Sequence, residues 1–383
     1  MARVRGAASW LLNEAEAAAD WLRHQVRGAD RGPLRIVPYR GHGTREVLYL
    51  KGRVLRGAPI PAANASDSAW RNLVHTLRRL ESEEVPAARV RARVGSLVTE
   101  TLSDDEGYFE FAIPAETRAE ECEVWRAVEL EILDPVGPEG PARAVGRALV
   151  PPSDARFGVI SDIDDTVVKT DATSLLRMAR LIFLTNARTR LAFEGVAAFY
   201  RALSDGTAGP CTNPVFYVSS SPWSLYELLQ EVFDVHGIPE GPLELRDYGI
   251  SREMLFSTSH REHKVKAIER ILSTHPALSF ILLGDSGQQD PEIYQEIAGR
   301  HPGRILAIYI RDVTMERRSG EVLAIREALR AQEVEVVFTA DTLGAALHAA
   351  EHGFIDPATL DEIRGEQERD RAAPGPLESA VRS

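Results

Sequence analysis

The chain has 383 residues, 44% of them hydrophobic and 27% charged, and a net charge of −12. That length exceeds one small core and points to about two domains, while the negative balance excludes a nucleic-acid backbone as the main partner. Two cysteines far apart in sequence, Cys122 and Cys211, exclude a disulfide framework and a thiolate metal cluster.

The first segment, residues 1–32, reads as an amphipathic helix over about Ser9 to Arg27. Leu11, Ala15, Ala18 and Leu22 share one face, while Asn13, Glu16, Asp20 and Arg23 share another. Glu14, Glu16 and Asp20 interrupt the apolar stretch, so it is not a signal peptide. Nor does the chain offer a membrane span. Even Leu175 to Ala187, the best candidate, contains Arg177 and Arg180. A cytoplasmic protein is the expectation. Residues 1–60 nevertheless carry eleven Arg or Lys against five Asp or Glu, a net of +6 that leaves −18 for the remainder. That asymmetry leaves peripheral contact with an anionic membrane open.

Over residues 33–150 the hydrophobic period changes to two. Arg89 to Val94 alternates strictly, and so do Phe109, Phe111 and Ile113 after the turn signal Asp104-Asp105-Glu106-Gly107. Val128, Leu130 and Ile132 mark a further strand. Short alternating strands between Gly and Pro turns imply an antiparallel β-sandwich, interrupted by a polar insertion at 59–87. Arg89, Arg91 and Arg93 read as a solvated sheet face.

Over 156–345 the pattern becomes alternating strand and helix. Phe157 to Ile160, Val215 to Val218, Phe280 to Leu283, Ile305 to Ile310 and Val334 to Phe338 are dense apolar runs. Such runs suit central strands of a parallel sheet covered on both faces. Leu225 to Phe233 and Val265 to Leu272 read as helices between them, and Arg246 and Asp247 fall in an extra strand. A helical segment at 346–365 and a disordered tail at 366–383 complete the expectation.

In open α/β sheets the ligand site lies beyond the carboxyl ends of the strands. Here the first run ends in Ser161-Asp162-Ile163-Asp164-Asp165-Thr166 and the second in Ser219-Ser220-Ser221-Pro222. The third ends in Gly284-Asp285-Ser286, with Asp290 beyond, and Lys264 begins the preceding helix. Clustered carboxylates are costly unless a cation neutralises them, and oxygen-only ligands favour Mg²⁺. A carboxylate attacking phosphate needs that shielding plus donors on the phosphoryl oxygens. Lys264 and the Ser219 hydroxyl are the candidate donors. A helix starting near Pro222, capped by Ser221, would add its positive end.

These residues resemble the four motifs of the haloacid-dehalogenase superfamily of phosphatases, in order: Asp162-x-Asp164-x-Thr166, Ser219, Lys264, and Gly284-Asp285 with Asp290. The resemblance implies a HAD-like, three-layer Rossmann-type parallel-sheet domain. It implies Asp162 as nucleophile and Asp164 as its acid/base partner. Mg²⁺ would be held by Asp162, the Asp164 carbonyl and Asp285 with support from Asp290, while Ser219 and Lys264 orient the phosphate. Lys266 is a rival to Lys264, and Thr166 would buttress the loop. Phe157–Thr170, Val215–Leu228, Pro239–Asp247, His263–Leu272 and Phe280–Tyr294, with Tyr39-Arg40-Gly41-His42-Gly43-Thr44 upstream, look like the actin-patch-type phosphatidate phosphatases related to the lipins. That closer resemblance implies phosphatidate as substrate, with diacylglycerol and phosphate as products.

The gaps from Thr166 to Ser219 and from Pro222 to Lys264 are short for a sizeable cap domain beside the crossovers they must contain. An uncapped site suits a bulky substrate. A phosphoprotein or small-molecule phosphatase on the same scaffold is the first alternative, and a non-catalytic phosphatidate-binding module the second. Arg188 and Arg190 could grip phosphate or serve as surface charge, His260 and His263 read as loop histidines, and Trp223 suits lipid contact or packing.

Overall fold

The structure is a computed structural model that describes residues 32–57, 83–115, 124–138, 140–163, 194–210, 212–246, 260–286, 289–311 and 319–372. The expected N-terminal helix, most of the 59–87 insertion, Cys122 and Cys211 lie outside these residues.

The antiparallel part contains β1 (Leu34–Pro38), β2 (Gly41–Gly43), β3 (Val47–Arg56), β4 (Glu83–Glu84), β5 (Arg89–Val94), β6 (Leu97–Leu102), β7 (Tyr108–Pro114), β8 (Trp125–Asp134) and β9 (Arg143–Leu149). Hydrogen-bonded ladders join them into one nine-stranded sheet, antiparallel throughout except where β2 pairs β9. The ten-residue β3 is its hub, pairing β1 and β2 as well as β7 and β4. Alternation does what the sequence demands: Phe109, Phe111 and Ile113 are buried, as are Val128, Leu130 and Ile132. The opposite face carries the expected arginines, with Arg91 on Glu100 at 2.9 Å and Arg93 on Glu129 at 3.8 Å. Gly41 permits the close approach of β2 to β3, since a Cβ there would lie 2.0 Å from the Tyr49 carbonyl oxygen.

The second part alternates strand and helix. In chain order it contains β10 (Gly158–Asp162), α1 (Val196–Asp205), β11 (Val215–Pro222), α2 (Tyr226–His236), β12 (Leu243–Arg246) and α3 (His260–Thr274). Then come β13 (Phe280–Asp285), α4 (Asp290–Arg300), β14 (Ile305–Arg311), α5 (Ser319–Arg330), β15 (Glu335–Thr339), α6 (Thr342–Glu351) and α7 (Leu360–Ala372). The six strands are parallel, in the order β12-β11-β10-β13-β14-β15. Every residue of β10 and β13 is buried, as their unbroken apolar runs require of strands covered on both faces. One core packs α1, α2 and α6 against the sheet, and a second packs α3, α4 and α5.

Two expectations are corrected. The helix expected near Pro222 starts just beyond it, and Ser221 does not cap it. Strand β11 continues through Pro222, which pairs with Arg246 beyond a register shift, and a short 3-10 turn, Trp223–Leu225, precedes α2. Ser221 is therefore a strand residue and not a cap. The stretch after Gly365 is not a disordered tail up to Ala372, because α7 runs that far. Its charges have partners: the Ala198 amide donates to Glu366 at 2.7 Å, the Gly195 amide donates to Asp370 at 2.8 Å, and Arg201 bonds Glu362 and Glu366. The acids thus serve the open N–H groups at the start of α1.

The two parts share a core. Val37, Tyr39, Leu55 and Tyr108 pack in the same cluster as Trp223 and Tyr226. Trp223 stacks on Tyr39 with centroids 4.3 Å apart, which settles its role as packing. The Arg40 amide donates to the Tyr226 hydroxyl at 2.6 Å. His42 Nδ1 lies 3.2 Å from His275 Nε2. The segment Tyr39 to Thr44 is thereby the seam between the parts.

Candidate active site

The order of the parallel sheet places β10 between β11 and β13, with crossovers leaving to either side. That is a topological switch point, where a crevice opens at the carboxyl edge. Asp162 ends β10 and Asp285 ends β13, while Asp290 opens α4. Oxygen atoms of these three carboxylates lie within 4.8 Å of one another, and all three residues are buried. Lys264, on the first turns of α3, reaches between them: Nζ is 2.7 Å from Asp162 Oδ1 and 2.6 Å from Asp290 Oδ1. Lys266 instead points to solvent and pairs with Glu262 at 2.7 Å. The helical phase explains the difference, because α3 buries Lys264, Ala267, Ile268 and Ile271 on one side.

Gly284 makes the cluster possible. A Cβ there would lie 2.6 Å from Asp290 Oδ2 and 2.8 Å from Tyr294 Cε2. Without it, Asp290 turns its Oδ2 toward the Asp285 amide at 3.3 Å and its Oδ1 to Lys264. Ser219 follows Val218, the register partner of Asp162, and its hydroxyl accepts the Ser221 amide at 2.9 Å. Asp164, Asp165, Thr166, Arg188, Arg190 and Asp247 lie outside the described residues.

Charge decides what this cluster can hold. Three carboxylates and one ammonium sum to −2 in a buried space. Burial opposes the charged form of Lys264, but Asp162 and Asp290 outweigh it and hold the pKa above the ordinary lysine value. Lys264 therefore stays an ammonium. Burial pushes the Asp162 carboxyl well above its usual range; Lys264 pulls it down, and Asp290 and Asp285 push it further up. One ammonium thus leaves the cluster short of positive charge. Asp162 Oδ2 is buried with no hydrogen-bond partner among the described residues. An all-oxygen set short by two positive charges, with an oxygen to spare, fits a hard divalent cation.

Sequence reasoning missed a surrounding layer. The Ser161 hydroxyl donates to the Asp162 carbonyl at 2.7 Å and lies 2.6 Å from the Tyr200 hydroxyl, which must then be the donor in that second contact. The Tyr294 hydroxyl donates to the Leu283 carbonyl at 2.7 Å. His263 belongs to the first turn of α3, not to a loop, and its Nε2 meets the Ser219 carbonyl at 3.1 Å. Arg311 ends β14 as the register partner of Asp285, and burial lowers its pKa to about 10. Of this layer only His263 drew notice in the sequence. Tyr200 and Tyr294 sit on α1 and α4, where no sequence pattern sets a tyrosine apart from the buried apolar residues beside it.

Residues 157–312 match the family model of the catalytic domain of phosphatidate phosphatase APP1. Over these residues the chain is similar to an APP1-type catalytic domain. The phosphatidate phosphatase APP1 of Saccharomyces cerevisiae is 36% identical over 179 residues, which cover 46% of this chain and 28% of that protein. An uncharacterized protein of Schizosaccharomyces pombe is 32% identical over 159 residues, covering 41% of this chain and 25% of its own. The chain thus spans roughly a quarter of the length of these relatives. A carbohydrate acetylesterase from Xanthomonas citri aligns over 82% of this chain and 72% of its own at 9% identity, but its TM-score of 0.28 carries no fold argument. The matched segment contains Asp162, Ser219, Lys264, Asp285 and Asp290, and stops one residue beyond β14. The antiparallel part and α5 to α7 lie outside it.

Proposed function

We propose that this chain is a Mg²⁺-dependent phosphatidate phosphatase of haloacid-dehalogenase type, releasing diacylglycerol and phosphate through an aspartyl-phosphate on Asp162. The observation that carries the reading is the buried convergence of Asp162, Asp285 and Asp290 on Lys264 within an APP1-type segment. An ordinary Rossmann-like domain has no reason to bury three carboxylates against one lysine at a switch point.

Asp162, Asp285 and the Asp164 carbonyl would hold Mg²⁺, with Asp290 behind them. When bound, the ion supplies charge neutralisation for the carboxylates and for the phosphoryl oxygens. The chain's own residues do the rest. Lys264 bonds Asp162 Oδ1 and so aims the carboxylate, leaving Oδ2 to attack phosphorus. The P–O bond to the glycerol oxygen breaks, and Asp164 gives that oxygen its proton. Asp164 then takes a proton from water, whose oxygen attacks phosphorus and returns Asp162 as a free carboxylate. Ser219 and Lys264 donate to the phosphoryl oxygens, and Lys264 shares its three N–H bonds between this task and the two carboxylates.

The membrane part of the reading is weakened by the fold. Arg35, Arg40, Lys51, Arg53 and Arg56, nearly half of the basic residues within 1–60, face Glu227, Glu240, Glu110, Glu84 and Glu83. They stitch the fold together and do not form an open basic surface. No helix among the described residues is long and apolar enough to cross a membrane.

The test is phosphate release from phosphatidate in mixed micelles, a soluble short-chain analogue, a phosphopeptide and small phosphomonoesters, each with Mg²⁺ and with chelator. Mg²⁺-dependent release that is fastest on phosphatidate supports the proposal. Fastest release on the phosphopeptide or on small phosphomonoesters would move the substrate assignment, and release in chelator would overturn the site.

A further inference from the structure

We propose a second metal site, for a transition-metal dication such as Zn²⁺, formed by Glu335, His348 and His352 at the edge of the parallel sheet opposite the aspartates. Glu335 opens β15, His348 lies in the last turn of α6, and His352 caps that helix four residues later. One ligand atom from each lies within 4.8 Å of the others. Histidines four apart stand on one helix face, and here their rings stack with centroids 3.9 Å apart and planes 20° off parallel.

The hydrogen bonds fix which nitrogens face the site. His352 Nδ1 lies 2.9 Å from the His348 carbonyl oxygen, which can only accept. Nδ1 therefore carries a proton, which leaves Nε2 as the nitrogen available to a metal. His348 Nδ1 is taken by the Tyr309 hydroxyl at 3.1 Å, while its Nε2 faces Glu335 Oε2 at 3.8 Å. Both rings are thus held through Nδ1 with Nε2 outward. A ligating histidine is commonly oriented this way, by a bond from its other ring nitrogen to a carbonyl or hydroxyl.

The reach is short. Zn–N bonds of about 2.0–2.1 Å set tetrahedral ligand atoms roughly 3.4 Å apart. Small rotations of the exposed Glu335 and His352 side chains would close the remaining gap. Two imidazoles and one carboxylate leave the fourth position to water. The donor set separates this site from the aspartate cluster, because imidazole suits Zn²⁺, Cu²⁺ or Ni²⁺ and carboxylates alone suit Mg²⁺. A metal here would tie the first residue of edge strand β15 to the end of α6. That strand is only partly buried and pairs on one side with β14. The site therefore acts as a clip at a thinly covered edge.

The experiment is calorimetric titration of Zn²⁺ into the full chain, stripped of metal and held in millimolar Mg²⁺ to occupy the aspartate cluster. One equivalent should bind to the wild type. Loss of even an outer-shell partner costs a metal site roughly 10–100-fold, so Glu335→Gln should weaken binding by at least that and His352→Ala should abolish it. Zinc should raise the melting temperature of the wild type and leave that of His352→Ala unchanged, while the two melt alike without zinc. Equal zinc binding by His352→Ala would place the metal elsewhere in the chain and overturn the proposal, as would no binding by the wild type. The result is independent of which substrate the enzyme hydrolyses.

Discussion

Replacing Lys264 by Met tests the electrostatic account of the site. The change keeps the aliphatic stem and removes the ammonium that Asp162 and Asp290 share, in a cluster of three buried carboxylates. At about 2.7 Å and an effective dielectric near 20, each lysine–carboxylate contact is worth roughly 6 kcal/mol of gross attraction. Most of that is offset by desolvation, and breaking a buried pair from one side costs about 3–5 kcal/mol net. That is a large share of a typical total stability of about 5–15 kcal/mol. The assay is urea unfolding followed by tryptophan fluorescence, in chelator and in Mg²⁺. The midpoint of Lys264→Met should fall steeply in chelator. Mg²⁺ should narrow the gap, because a cluster of charge −3 takes up the dication more tightly than one of −2. Lys266→Met is the control: its exposed pair with Glu262 is worth less than about 0.5 kcal/mol, so it should unfold like the wild type. A Lys264→Met midpoint equal to that of the wild type in chelator, or a gap that ignores Mg²⁺, would refute the reasoning.

Gly284→Ala drives a methyl group into Asp290 and Tyr294, where no space exists. It should cost about 1–3 kcal/mol in thermal unfolding and lower turnover by displacing Asp290, and a wild-type melt would show that the cluster is not so tight. His275 is buried beside His42, and burial, then His42 and Arg304, push its pKa down to about 3. The unfolded chain binds a proton there below pH about 6.5 and the folded chain does not, so stability is lost as pH falls from 6.5, by about 1.4 kcal/mol per unit. Between pH 6.5 and 5, His275→Gln should flatten the stability profile, and an unchanged slope would contradict the assignment. Glu366→Ala removes the acceptor of the Ala198 amide and the partner of Arg201. A loss of about 0.5–2 kcal/mol is expected, with reduced turnover because α1 carries Tyr200, the partner of Ser161 beside Asp162. Wild-type stability would mean that α7 is dispensable.

Periodicity was legible wherever burial is set within one element. The alternation of Phe109, Phe111 and Ile113 and the unbroken runs of β10 and β13 both translate directly into faces. The aspartates were legible because carboxylates at the ends of apolar runs have only one edge of a parallel sheet to occupy. What stayed hidden depends on tertiary partners. Lys264 and Lys266 are told apart only by the phase of α3 against its core. Pro222 reads as a helix start, but Ser219 takes the Ser221 amide and β11 keeps pairing with Arg246. The charged stretch of α7 reads as a tail because only Ile363 and Gln367 are buried. Its acids bond a helix about 170 residues away in the chain, and composition carries no trace of that. The basic surplus of residues 1–60 also depends on tertiary partners, since Arg35, Arg40, Lys51 and Arg53 meet glutamates from elsewhere in the fold.

The central claim is that the Asp162 carboxylate takes the phosphoryl group. Borohydride reduces an acyl-phosphate to an alcohol, so quenching the enzyme in mid-turnover with phosphatidate and Mg²⁺, then reducing and digesting it, reports the phosphorylated side chain by mass spectrometry. The account predicts homoserine at position 162, only when substrate and Mg²⁺ are both present, and neither homoserine nor phosphate release from Asp162→Asn. Steady turnover by Asp162→Asn, or reduction at another carboxylate while position 162 remains aspartate, would contradict it.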